Sequence, residues 1–286
     1  NFGAQCQTID HWVPRHVLHG QPCCHYLFVE ELSQVGAQLW GHLALAKSKG
    51  LTFCLIGDFR QFAPINDHWH GAPLPGDALR RSQLLHGLAG GAWLELRENK
   101  RSEPRLFEFY SSLNVDHCSP CELQGLLQAA RLRFPVSSEE LGVTHLVMPH
   151  RERIRLNREA NLREVPPSGA LFVPAAKEAG ANASQDMFLW PGLRLIGAGE
   201  PCHRGCFYHV ESVSDSHVKL VDVKEPLSKE KASKLLRLSY AITLASCQSL
   251  TLRGRVRLHT RSPHFTCRHL YVGSSRATSA DLLEIL

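Results

Sequence analysis

The chain lacks any run approaching the roughly 18 to 20 unbroken apolar residues of a membrane span, so it offers no candidate spanning helix. It opens on NFGAQCQTID, with neither Met nor a basic-then-apolar leader. No secretory signal is expected, and the chain is expected to be an interior piece of a longer protein. Its 10 cysteines have no regular spacing. A disulfide framework suits short chains without an adequate core, so reduced thiols in an intracellular protein are expected instead. There is no internal repeat and no low-complexity segment. No Ser-His-Asp or Cys-His nucleophile set has a supporting context. Nowhere is there a G-x-x-x-x-G-K-[ST], the loop whose backbone N–H groups and Lys cradle a triphosphate. Acids are missing from Lys231 to Arg276, a stretch that carries nine Lys or Arg against a net charge of +5 for the whole chain. Such a block is either a solvated basic face or a surface for polyanions, nucleic acid or phosphates.

What is present is an ordinary globular composition, 43% hydrophobic and 21% charged over 286 residues, enough for two domains. Tyr26 to Val29 is a short apolar run followed by two acids. Leu32, Val35, Leu39, Leu43 and Ala46 recur at helical spacing up to a capping Gly50. LTFCLIGD reads as a second buried strand. Strand, helix, strand in this order predicts a parallel βαβ unit. AWLELRENKRSEPRLFEFYSSL reads as strand then helix, and VTHLVMPHRERIRLNREANLR as strand then basic helix. From EVPPSGALFVP to about Pro226 the runs are short and alternating, which predicts a small β-rich insertion, a barrel being one form of it. LSYAITLASCQSLTL, RVRLHT and HLYVGSSRATSADLLEIL return to α/β.

In a parallel sheet, ligands sit beyond the carboxyl ends of the strands. Glu30-Glu31 and Gly57-Asp58 fall there on neighbouring strands. Paired carboxylates at such an edge suit Mg²⁺ held through water and the orientation of an attacking water. Gln61, which both donates and accepts, suits a terminal phosphate. Taken singly, the acid pair is a helix-start charge pair, Asp58 a loop cap, and Arg101 and Arg276 surface residues. Cys118-x-x-Cys121 with Cys202-His203-x-x-Cys206 forms a rival constellation for Zn²⁺. The five tryptophans are core residues by default, although Trp12 could stack a base.

Six segments, in order, resemble the motifs of superfamily 1 helicases, and most closely the RecD/PIF branch. LFVEELSQV resembles V-D-E-x-S, LIGDFRQFAPI resembles G-D-x-x-Q-L-P-P-[IV], and LRENKRS resembles the motif whose Arg touches nucleotide. AITLASCQSLTL resembles A-x-T-x-H-K-S-Q-G-x-T, LYVGSSRATS resembles the arginine-finger motif, and QTIDHW resembles an early DNA-contacting motif. The resemblance spans nearly the whole chain. It implies two tandem RecA-like P-loop NTPase domains of α/β class, the first truncated, with a small SH3-like β-rich insertion in the second. The boundaries are 1–95 for the first domain, 96–165 with 231–286 for the second, and 166–230 for the insertion.

The resemblance also implies roles. Glu30 takes the Mg²⁺-binding position, and Glu31 that of the catalytic base. Gly57, Asp58, Gln61 and Gln248 lie at the nucleotide, and Arg101 and Arg276 close on the γ-phosphate. Thr8, Trp12, Thr243 and Thr251 lie at DNA, and Tyr271 packs beside the finger strand. The implied cofactors are ATP and Mg²⁺. The implied partners are DNA at a single-strand/duplex junction and replication, recombination or repair proteins, at an intracellular, nuclear or viral replication site. The implied activity is 5′-to-3′ DNA translocation. The departures are Glu30 for Asp, Phe62-Ala63 for Leu-Pro, and Ala245, Ser246 and Ser249 for His, Lys and Gly. GHLALAKS, Gly41 to Ser48, mimics the phosphate loop but falls after the acid pair and within the helical pattern. The expectation is therefore that the loop precedes Asn1 and that this piece hydrolyses ATP poorly by itself. The alternative is a catalytically decayed module that grips nucleic acid or a protein.

Overall fold

A computed structural model of the protein describes residues 7–22, 24–64, 67–69, 71–74, 78–176 and 184–286. Ile65 of the second motif, Cys6 and Cys23 lie outside these residues. The chain divides into two units, Asn1–Asn99 and Lys100–Leu286.

In the first unit, α1 (Ile9–Val13) runs into a π-helical turn, Pro14–Leu18. Then come β1 (Tyr26–Val29), a 3₁₀ turn (Leu32–Gln34), α2 (Ala37–Ser48) and β2 (Thr52–Leu55). β1 and β2 pair in parallel from Tyr26↔Thr52 to Val29↔Leu55, the βαβ arrangement that the hydrophobic pattern predicts. The helix expected from Leu32 instead starts at Ala37, with Gly36 at its N-cap, because the chain first makes the 3₁₀ turn. Gly50 follows the C-cap with φ +92°, a left-handed conformation that glycine adopts without a Cβ clash. Val29, Leu32, Val35, Trp40 and Leu43 bury one face of the pair, and the Trp40 indole N–H donates to the Val35 carbonyl at 2.8 Å. The unit closes with a two-residue hairpin, β3 (His68–Trp69) and β4 (Ala72–Pro73), and α3 (Gln83–Leu88).

The strand expected in AWLELREN does not form: residues 92–100 have no regular structure, and Trp93, Leu94 and Leu96 are exposed. An alternating apolar run becomes a strand only where a neighbour supplies N–H and C=O groups, and among the described residues no strand pairs with it.

The second unit begins with α4 (Pro104–Ser111) and α5 (Pro120–Arg133). Ser119 and Glu122 form a capping box before α5, and Pro120 takes the first helical position, where a missing N–H costs nothing. β5 (Val143–Val147) leads to α6 (His150–Glu164). The β-rich part follows: β6 (Leu171–Val173), β7 (Met187–Leu189), β8 (Arg194–Gly197), β9 (Phe207–Val213), β10 (His217–Leu220) and β11 (Leu227–Ser228). After α7 (Lys229–Leu235), β12 (Leu236–Leu238) completes a five-stranded antiparallel sheet of order β11-β10-β9-β8-β12. β13 (Ala241–Thr243), β14 (Arg255–Leu258), α8 (Cys267–Ser274) and β15 (Leu283–Ile285) return to α/β. The parallel sheet runs β13-β5-β14-β15. Tyr271 therefore sits on a helix, packed edge-on to Tyr110 at 5.7 Å.

One face of that sheet carries a buried polar row set by register, His145↔Arg257↔Glu284. Arg257 donates through Nε to Glu284 at 2.6 Å and also pairs with Glu140. His145 Nδ1 meets His259 Nε2 at 3.0 Å, and His259 Nδ1 lies 3.3 Å from Glu152. Burial, then the His259 and Arg257 charges, pushes the His145 pKa down to about 4. His269 is also held at about 4, by burial first and then Arg268. Its Nδ1 accepts the Thr266 N–H at 3.1 Å, so its neutral form caps α8.

Both imidazoles bind a proton more readily in the unfolded chain. Stability is therefore full above about pH 6.5 and is lost as the pH falls toward about 4. The urea midpoint should drop steeply across that window. His269→Gln keeps a capping acceptor without a titrating group, so it should flatten the drop while leaving the midpoint at neutral pH nearly unchanged.

Candidate functional site

In-register pairing brings β1 and β2 of the first unit to an end at one edge. The Ile56 N–H donates to the Val29 carbonyl at 2.8 Å, and the Leu32 N–H donates to the Ile56 carbonyl at 3.2 Å. Between these bonds the chain turns at Glu31, whose φ of 54° is left-handed. Glu30 is exposed and Glu31 half-buried. A Cβ on Gly57 would stand 2.7 Å from both the Leu32 nitrogen and Leu32 Cβ, so only glycine permits this approach. Asp58 then folds a tight turn: its Oδ1 accepts the Arg60 N–H at 2.9 Å, and its carbonyl accepts the Gln61 N–H at 3.0 Å. Glu30, Glu31, Gly57, Asp58 and buried Gln61 thus share one sheet edge.

In the second unit the remaining predicted residues gather in two joined segments. Thr243 ends β13, and its Oγ1 meets Ser246 Oγ at 2.8 Å and accepts the Ser246 N–H at 3.3 Å. A 3₁₀ turn, Ala245–Cys247, follows, then buried Gln248, Ser249 and exposed Thr251. Ser249 has φ +65°, so the loop keeps a left-handed turn at the position where the resembling motif has Gly. Arg276 is 1% exposed. Its guanidinium donates to the carbonyls of Val272 (3.1 Å) and Leu250 (3.2 Å) and to Ser275 Oγ (2.8 Å). Its own carbonyl accepts the Leu252 N–H at 2.9 Å. The segment of exposed Arg101 is tied to the same region: the Glu103 N–H donates to the Thr278 carbonyl at 2.9 Å, and the Glu103 carboxylate accepts the Ala280 N–H at 2.7 Å.

Thr8 is exposed, and its carbonyl accepts the N–H groups of His11 and Trp12 that open α1. Trp12 is 6% exposed and packs with Val13, Val17, Ala46 and Leu51. An indole in that setting is a core residue with no open face for a base. GHLALAKS lies within α2, and Lys47 Nζ donates to the carbonyls of Gly87 (2.7 Å) and Leu88 (3.0 Å) at the end of α3. Among the described residues no three His, Cys, Asp or Glu side chains gather as a metal site, so the two cysteine pairs do not combine. Burial raises the pKa of Cys202, while Cys206 is exposed. Cys247, which donates to the Leu244 carbonyl at 3.1 Å, is pushed up to about 12 by burial. The contact of buried His145 with half-buried His259 has no local sequence signal: His145 lies within β5 and His259 just beyond β14, and only the pairing of those strands brings them together.

No family model and no curated protein matches the chain. Solved structures do. The Pif1 helicase of Candida albicans superposes with a TM-score of 0.63 at 15% identity, over 92% of this chain and 71% of that one. The Bacteroides Pif1 helicase in complex with ADP-AlF3 and ssDNA gives 0.59 at 16%, over 99% and 74%. Bacteroides Pif1 bound to ssDNA gives 0.58 at 14%, over 91% and 70%. The chain has the fold of these proteins, a mixed α/β fold of RecA-like type.

Gly57→Ala should cost about 1–3 kcal/mol in urea unfolding, because the Leu32 backbone must give way. Ser249→Gly should raise the unfolding free energy in urea by about 0.5 kcal/mol, the left-handed penalty of serine less the added freedom of the unfolded chain.

Proposed function

We propose that the chain is the nucleotide- and DNA-engaging part of an ATP-dependent superfamily 1 helicase that moves 5′ to 3′ on DNA. The observation that carries this reading is the shared strand edge of Glu30, Glu31, Gly57, Asp58 and Gln61. The fold likeness supports it, since Bacteroides Pif1 was solved with ADP-AlF3 and ssDNA.

Carboxylates of the kind that Glu30 and Glu31 carry would take a hard cation through water rather than by a closed set of protein ligands. In this reading Glu30 would hold magnesium through water, where the ion would neutralise phosphate charge, and Glu31 takes a proton from the attacking water. Gln61 orients that water, with Asp58 and Gln248 beside the nucleotide. Arg101 and Arg276 stabilise the charge that develops on the γ-phosphate, an effect worth about 10³–10⁵ in rate in well-studied NTPases. Thr8, Thr243 and Thr251 meet the DNA backbone, and the antiparallel sheet of β8 to β12 is the SH3-like element.

The sequence contains no G-x-x-x-x-G-K-[ST] to cradle the phosphates. A second observation bears on this. Tyr26 (69% exposed) and Phe28 (66%) lie on one face of β1, uncovered. Parallel sheets are covered on both faces, so the reading includes a strand–loop–helix segment, upstream in the full protein, that covers this face and brings the phosphate loop. A binding module without turnover is the second reading. Its specific support is Arg276, buried and bonded to backbone carbonyls of its own unit.

The test is ATP hydrolysis by the chain extended through its natural upstream sequence. Single-stranded DNA should stimulate turnover, and Glu31→Gln should lower kcat by about 10²–10⁴-fold with nucleotide affinity retained. DNA binding without any turnover in the extended protein would establish the module instead.

A further inference from the structure

An open cavity of ≈ 680 Å³ lies in the second unit, lined by Glu139, Glu140, Leu141, Arg163, Glu164 and Trp190. Its size is that of small-molecule sites, about 300–1,000 Å³. It gathers the loop before β5, the last turn of α6 and the residue after β7. Leu141 is exposed, and the Trp190 indole is half-buried against the core of the β-rich part.

The charges around the cavity do not balance. Glu139 pairs with Arg255, and Glu140 gives Oε1 to Arg257. Those two arginines also serve Glu284, at 2.6 Å from Arg257 Nε and 4.0 Å from Arg255 Nη1. Glu164 gives Oε1 to Arg163 at 3.0 Å. The Tyr240 phenol, raised in pKa by burial first and then by the Glu164 charge, has a buried oxygen with no hydrogen-bond partner. Arg163, Arg255 and Arg257 thus face four carboxylates, Glu139, Glu140, Glu164 and Glu284.

A second observation is the His145 imidazole, 8% exposed. Burial holds it and His259 in the neutral form. Their partners assign the tautomers. His259 Nδ1 lies 3.3 Å from the Glu152 carboxylate, an acceptor, so Nδ1 carries the proton. His259 Nε2 then accepts the His145 Nδ1–H at 3.0 Å. The lone pair left on His145 Nε2 stands 3.8 Å from Glu140 Oε2. Two acceptors face each other beyond hydrogen-bond reach. An ammonium nitrogen can stand about 2.9 Å from both and donate to each. Among the described residues no three His, Cys, Asp or Glu gather as a metal site, so an organic cation fits better than a metal ion.

We propose that this cavity binds an alkylammonium group, its nitrogen between His145 Nε2 and Glu140 Oε2 and its apolar stem against Leu141 and Trp190. The indole face adds a favourable field for the cation. The group belongs either to a lysine side chain of a protein or to a free polyamine. The site goes beyond the helicase reading and does not rest on it.

The experiment is thermal unfolding of the intact chain in cadaverine, or in lysine blocked at both backbone ends, against sodium chloride at equal ionic strength. The wild-type midpoint should rise saturably with either amine. Glu140→Gln keeps an acceptor for Arg257 but loses the charge, and calorimetric titration should show amine bound about tenfold more weakly. Glu164→Gln, which leaves the Arg257 row untouched, should also weaken binding, and it serves the same test if Glu140→Gln fails to fold. Glu159→Gln removes an exposed carboxylate of the same helix outside the cavity and should leave the rise intact. An undiminished rise in the folded cavity variants, or no rise beyond that in sodium chloride, overturns the site. Tighter binding of the blocked lysine assigns a protein side chain, and tighter binding of cadaverine a free polyamine.

Discussion

The candidate chemistry depends on one backbone arrangement, the in-register parallel pairing of β1 with β2 and its continuation through the Leu32–Ile56 hydrogen bond. Side chains alternate along a strand, so a slip of one residue would exchange the covered and open faces and move the acids off their shared edge. Val29, Leu32 and Val35 hold the register by burial on one side. Gly57 holds it by steric exclusion, since any larger residue would part the two loops that carry the carboxylates. The Glu31 backbone in turn adopts an uncommon left-handed conformation there. Such conformations persist where the surroundings enforce them, and they cluster at functional sites.

The second unit solves a different problem. Its arginine from the finger-like motif and its loop after β13 are joined through both the side chain and the backbone of Arg276. The loop has a left-handed turn at Ser249, a conformation uncommon for serine. The backbone thus has a left-handed turn where the resembling motif has glycine, whereas Ala245 and Ser246 supply none of the charge of that motif's His and Lys. The scaffold that positions a ligand and the side chains that bind it are separable properties.

Much of this was legible because it follows from local pattern. The βαβ unit came from strand-like and helix-like spacing of apolar residues, and the β-rich insertion from short alternating runs. The grouping of acids at one edge came from the rule that parallel strands end together. Other features had no local signal. AWLELREN alternates as a strand does, but a strand is made by its neighbour, and none of the described residues supplies one. Trp12 looked available for stacking because its motif suggested it, yet the burial comes from Ala46 and Leu51, more than thirty positions away. The buried row of His145, Arg257 and Glu284 depends on the register of three strands distant in sequence.

Polar residues inside the second unit carry a further consequence for how its parallel sheet and its β6–β7 hairpin are joined. Asn157 and Asn161 each pair with both the N–H and the C=O of a single strand residue, one in the parallel sheet and one in the β6–β7 hairpin. An apolar residue could fill the same space but would leave two backbone groups unmet, at a cost of about 1–3 kcal/mol each. One helix face therefore fixes the position of the hairpin relative to the parallel sheet through directional bonds, where hydrophobic contact would allow sliding.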